Sequence, residues 1–208
     1  MSQAATPERS ENGETTRDRL VLAAGEAFNT DGFAGTNTNK IARLAGFAPQ
    51  TFYRHFEDKI GVFLAVYEKW RRDENVAVAR ALESNAPNAA VGQAVLAHHV
   101  AWAEFRRSLR TLAVVDPRVR AARAASRAAQ IDTLAAADTA GRSRAEFVGA
   151  LLRVERLCDA AADGELADLG LNQTEVLALI EQAVAAARGE VGDGVVARGG
   201  THRKGKAS

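Results

Sequence analysis

Gln50, Thr51, Tyr53, Arg54 and His55 crowd one short stretch with hydrogen-bonding side chains, interrupted only by Phe52. Phe56 follows Phe52 at a spacing of four, so on a helix the two rings share one face and anchor it. The polar residues then stand away from that face. Their chemistry suits the groove of a nucleic acid duplex. Gln50 carries the donor–acceptor pair that matches adenine in the major groove, and Arg54 could read guanine or hold a phosphate. Thr51, Tyr53 and His55 offer donors for the sugar–phosphate backbone. Lys59 sits in the first turn of the next helix, where free N–H groups and a cation together favour a phosphate. Thr36 and Asn37 are expected to do the same at the start of the preceding helix, and Thr38, Ala48 and Pro49 complete this candidate DNA-binding set.

These residues need two short helices and a tight turn. Thr36 can cap the first helix, whose apolar positions Ile41, Leu44 and Ala45 face inward. Gly46 suits the turn, because it adopts positive φ without a Cβ penalty. Pro49 fits the first turn of the second helix, where its missing N–H has no intrahelical partner. Two helices, a glycine turn and a polar second helix form the pattern of a helix-turn-helix. Upstream, Thr15 and Asp18 give a capping signal, and Leu20, Val21, Ala24, Ala27 and Phe28 recur at helical spacing until Asp31-Gly32. The resulting three-helix unit is too small to bury much unless it leans on something else.

The rest of the 208-residue chain reads as helix throughout, so the fold class is all-α. Asp58 starts a fourth helix with the stripe Ile60, Phe63, Tyr67 and Trp70, which fades before Ser84-Asn85-Ala86-Pro87. A fifth helix is expected over about Asn88 to Leu112 as one continuous stripe of Val91, Val95, His98, Trp102, Phe105, Leu109 and Leu112. Asp116-Pro117 opens the next, followed by helices at about 143–162 and after Asn172, with 164–170 as a connection. The expected organisation is an arm at 1–14, a helix-turn-helix domain at 15–60, a helical regulatory and dimerisation domain at 61–188, and a basic tail at 189–208.

Composition narrows the function. The formal net charge is +1, so a nucleic-acid partner has to be argued from local placement. Cys158 is the only cysteine, which excludes an intrachain disulfide framework and a cysteine-based zinc site. No apolar run has the length of a membrane span, and the polar N-terminus lacks the core of a secretory signal, so a cytoplasmic location is expected. No nucleophile–base pair or metal-ligand spacing supports an enzyme, and neither metal nor cofactor is expected.

His98, inside an apolar stripe with Trp102 and Phe105, could orient a small molecule in a pocket or be a core histidine satisfied by a carbonyl. His99 is expected to face solvent. Glu155, Asp159 and Asp163 lie one turn apart and read as a solvated or partner-facing side, as does the row Arg120, Arg123 and Arg127. Cys158 reads as packing. Phe147, Leu151, Val154, Leu177, Ile180 and Val184 give two apolar faces that could pack against a second copy or be buried within one subunit.

The stretch from Thr16 to Lys59 resembles the N-terminal DNA-binding domain of the TetR family of transcriptional repressors. The resemblance rests on Asp31-Gly32-Phe33, on Thr36, Ile41, Ala42, Ala45 and Gly46, and on Thr51 to Phe56 followed by Lys59. Departures are Thr38 where the family usually has an apolar residue, Ala48 in place of a capping serine, and Gln50 in place of a frequent glycine. The resemblance implies a homodimer whose two recognition helices read a near-palindromic DNA operator and are released by a small-molecule effector bound in the C-terminal domain. It also tips the two apolar faces toward dimerisation. The reading from a different class is a small helical ligand-binding protein or enzyme with a vestigial helix-turn-helix.

Overall fold

Helix starts in this chain are written in its capping residues. In the computed structural model, which describes residues 15–83 and 86–190, Thr15 and Asp18 form a reciprocal capping box that opens α1 (Thr16–Asp31). Asn37, rather than Thr36, caps α2 (Thr38–Leu44) by accepting the Lys40 N–H at 2.9 Å. Gly46 turns the chain at φ +77°, and Pro49 begins α3 (Pro49–Tyr53). The Asp58 carboxylate accepts the Gly61 N–H at 2.7 Å at the start of α4 (Lys59–Glu83).

The expected fifth helix is two. α5 (Asn88–Ala101) and α6 (Ala103–Val115) are separated by Trp102, whose φ of −121° and ψ of 28° leave the helical region. No glycine or proline marks the break. It is made by tertiary contacts: the Asn29 amide of α1 donates to the Ala101 carbonyl at 2.7 Å and accepts the Phe105 N–H at 3.3 Å. One side chain from another helix thus satisfies backbone groups on both sides of the interruption.

Asp116 caps α7 (Pro117–Ala136), Ser143 with Glu146 caps α8 (Arg144–Ala162), and Asn172 with Glu175 caps α10 (Gln173–Arg188). The connection at 164–170 contains a single turn, α9 (Glu165–Asp168). No strand occurs among the described residues.

Two apolar cores result. The first joins Leu20, Phe28, Ile41, Phe52, Phe63 and Val66 of the N-terminal unit to Phe105, Leu109 and Leu112 of α6 and Val119 of α7. The small unit therefore does lean on its neighbour, through α6. Burying a residue such as Phe105 there is worth about 1.5–3 kcal/mol. The second core gathers Val91 and Val95 of α5, Cys158 of α8, Leu166 of α9 and Val176, Ile180 and Val184 of α10. The stripe assigned from sequence to a dimer surface is largely consumed inside the subunit. Phe147, Ile180 and Val184 are buried, Val154 packs on the second core, and Leu151 lines a cavity, which leaves half-buried Leu177. The reason is that α10 lies against both α5 and α8, so its apolar face is already covered. Leu152, rather than Leu151 or Val154, is the exposed apolar residue on this part of α8.

Candidate nucleic-acid interface and internal cavity

The α3 helix is only five residues long and is held by its rings. Phe52 and Phe56 are buried in the first core, and Arg17 lies 5.0 Å over the Phe56 ring. Gln50, Tyr53, Arg54 and His55 are exposed as expected, and Thr51 is half-buried. The Tyr53 and Thr38 hydroxyls are 3.0 Å apart, which ties α3 to α2 and fixes the phenol. Ala48 provides no side-chain cap, and only its carbonyl serves the start of α3, accepting the Thr51 N–H at 3.0 Å. Asn37 keeps its place at the head of α2, where its side chain is the cap.

Two residues assigned to phosphate contact do other work. Thr36 is buried, and its hydroxyl donates to the Ala27 carbonyl at 3.1 Å. Lys59 donates to the carbonyls of Phe33 and Thr36, both at 2.8 Å, and its ammonium lies 4.0 Å over the Phe33 ring. Burial lowers its proton affinity. Lys59 is a clamp on the loop between α1 and α2, with its donors directed into the protein.

Beyond this head lies a cavity of about 440 Å³, open to solvent on one side and walled by α4, α5, α6, α7 and α8. Tyr67, Trp70, Val78, Val95, Leu151 and Val154 supply its apolar surface. A larger surface groove of about 630 Å³ runs between α1, Leu44–Ala45 and Ala101–Trp102 and includes none of the buried charges.

Those charges form two clusters. In the first, Asp159 accepts from Arg106 through Nε at 2.7 Å and Nη2 at 3.1 Å, and Arg110 approaches to 3.1 Å. The His99 ring bridges two carboxylates, with Nδ1 3.2 Å from Asp159 and Nε2 3.1 Å from Glu74. Burial alone would raise the Asp159 carboxyl, but hydrogen bonds from His99 and Arg106 and the charges of Arg106 and Arg110 hold it well below the usual range. In the second cluster Glu155 binds Arg127 through both guanidinium edge nitrogens and meets Arg123 at 3.4 Å. Burial opposes ionisation of Glu155, and the Arg127 hydrogen bonds and charge prevail and lower it. Arg123 is shifted down by burial and by the neighbouring Arg127.

The cavity is therefore near the expected place but is built from different residues. His98 stacks on Trp70 with its Nε2 3.1 Å from the Trp70 carbonyl, which satisfies it as a core histidine. Trp102 packs over Gly25, and Phe105 belongs to the first core. His99, expected in solvent, is the histidine of the cavity, because the break at Trp102 ends the stripe that had been carried through it. Glu155 and Asp159, with Arg123 and Arg127, are not a solvated face; they pair across α7 and α8 and across α6 and α8. Glu74 had a signal in the sequence, since it continues the α4 stripe one turn beyond Trp70. Cys158 is buried, and burial, then Glu74, pushes its thiol up to about 12.

One helix touches both sites. Arg106 of α6 faces the cavity, while the Ser108 hydroxyl accepts the Phe33 N–H at 2.9 Å at the edge of the head. A further link joins Arg118 of α7 to Asp58 at 2.9 Å.

Residues 20–66 match the family model described as bacterial regulatory proteins, tetR family. Solved structures share the fold over most of the chain. A transcriptional regulator from Rhodococcus sp. Rha1 superimposes with a TM-score of 0.65 at 15% identity, covering 84% of this chain and 98% of its own. A TetR family transcription regulator from Marinobacter aquaeolei VT8 gives 0.58 at 16% identity, covering 82% and 94%. The TetR-like transcriptional regulator LfrR from Mycobacterium smegmatis, in complex with proflavine, gives 0.55 at 18% identity, covering 83% and 95%. The chain thus carries an N-terminal segment that matches the tetR family model within a helical fold shared with these solved regulators.

Proposed function

We propose that this protein is a repressor that binds a near-palindromic operator as a homodimer and leaves it when a small molecule fills the cavity. In this reading 15–60 is the DNA-binding head and 61–188 the regulatory and dimerisation part, with α6 and the start of α7 completing the head's core. Gln50 and Arg54 read bases, and Tyr53, Thr51 and His55 grip the backbone beside Asn37, Thr38, Ala48 and Pro49. The observation that carries the proposal is that α6 presents Arg106 to the cavity and Phe105 and Ser108 to the head. An effector that favours one placement of Arg106 therefore favours one placement of the head. Two heads on one face of a duplex must sit roughly 34–36 Å apart, so a small pivot loses register. The LfrR structure holds a small molecule, which supports a ligand-responsive reading here. The outward side of α8, with Leu152, together with exposed positions of α10, is the surface left for a second copy.

Fluorescence anisotropy with the DNA flanking its own gene tests this. The dimer should bind a near-palindrome saturably, and Gln50→Ala should weaken that site more than random DNA. A folded dimer that binds no near-palindrome at low salt would sink the proposal.

A further inference from the structure

Most charges around the cavity have a partner of opposite sign, and Arg123 is left without a carboxylate of its own among the described residues. Asp159 answers Arg106 with two hydrogen bonds. Outside the cavity, Arg107 and Arg110 are matched by Glu104 and Asp163. Glu155 answers Arg127, which holds both of its oxygens. Glu74 meets the His99 ring, which has a carboxylate oxygen within 3.2 Å of each nitrogen.

Arg123 has no carboxylate of its own. Its one polar contact is the 3.4 Å approach to a Glu155 oxygen that Arg127 already occupies. Its Nε and Nη1 have no partner among the described residues, and the side chain is 16% exposed on the cavity wall. A half-buried guanidinium that shares its counter-ion is under-compensated, and a bidentate carboxylate answers it most fully. Arg71, on the same wall, adds a second cation and no anion. Apolar lining shares the cavity with Arg123, with Tyr67 and Trp70 on α4 and Leu151 and Val154 on α8.

We infer that the cavity takes an amphiphilic organic monocarboxylate, its carboxylate on Arg123 and its apolar body against Trp70, Val95, Leu151 and Val154. This rests on the reading of the cavity as an effector site. The volume, about 440 Å³, lies in the range of small-molecule sites. A cationic ligand would instead compete with His99 for Glu74 and leave Arg123 unanswered.

Three ligands with one body and different heads separate the cases: phenylpentanoate, phenylpentanol and phenylpentylammonium. Calorimetric titration of the full chain should show the carboxylate binding at least tenfold tighter than either of the others. Arg123→Gln should remove that tenfold preference and leave the alcohol unchanged. Arg123→Lys, which keeps the charge, should keep most of the preference and serves if the glutamine variant does not fold. Equal carboxylate binding by folded Arg123→Gln, or tighter binding of the ammonium to the wild type, overturns the inference. The effector reading is judged separately, by Leu151→Trp, which narrows the cavity. If the ammonium or the alcohol releases DNA and this variant abolishes the release, the cavity is an effector site with a different ligand class. If none of the three binds saturably, the carboxylate inference falls.

Discussion

Lys59→Met should destabilise the head without changing how many phosphates the protein holds. The ammonium donates to two carbonyls at 2.8 Å and lies 4.0 Å over the Phe33 ring. Hydrogen bonds from a charged donor contribute about 1.5–3 kcal/mol each when buried, and a cation–π contact about 0.5–1 kcal/mol near the surface. Lys59 is only half-buried, so water recovers part of each bond, and methionine keeps the aliphatic stem in place. The net loss should be about 2 kcal/mol, a large share of the roughly 5–15 kcal/mol that holds a domain folded. Urea unfolding followed by circular dichroism should show a lower midpoint at unchanged slope. The dependence of DNA affinity on salt should keep its slope. A phosphate contact behaves oppositely, because losing one shallows the log–log salt slope by about 0.9 and leaves stability alone. An unchanged urea midpoint with a shallower salt slope would refute the clamp.

Other outcomes follow from the buried groups. Asp159→Asn strips His99, Arg106 and Arg110 of their shared counter-ion and should cost about 3–5 kcal/mol in thermal or urea unfolding. Because the folded Asp159 carboxyl is held down, its contribution is complete above the ordinary aspartate value of about 4 and is lost as pH falls through its lower folded value. Melting curves from pH 5 downward should therefore fall more steeply for wild type than for the asparagine variant; parallel curves would contradict the assignment. With its thiol pushed up to about 12, Cys158 should resist iodoacetamide at neutral pH in the native protein and react fully in guanidinium chloride. Rapid native labelling would show that the second core opens readily.

The head was legible because its signals are local. Gly46, Pro49, Phe52 and Phe56 act within a few residues of themselves, and the structure places each where its own chemistry puts it. Lys59 and Thr36 were misassigned because their partners, Phe33 and Ala27, lie on a different element whose approach no spacing reveals. The cavity was harder for a related reason. A helical stripe identifies a face only while the helix is continuous, and the interruption at Trp102 is imposed by Asn29, more than seventy residues away in sequence. Carrying the stripe through selected His98 in place of His99. Arg123 and Glu155 looked like surface charges because sequence shows charge without showing that two helices bring opposite signs together.

The interruption at Trp102 also restricts how the chain's length can drift. His99 lies before it and Arg106 after it, yet both reach the same Asp159 oxygen. Each residue advances a helix by about 100°, so one inserted residue at this point would swing Arg106 off that oxygen and Phe105 out of the first core. Gly141, at positive φ with nothing near the position of an added Cβ, imposes no such restriction. Among relatives that retain the buried aspartate, the interval from His99 to Arg106 should hold constant while the loop around Gly141 lengthens and shortens freely.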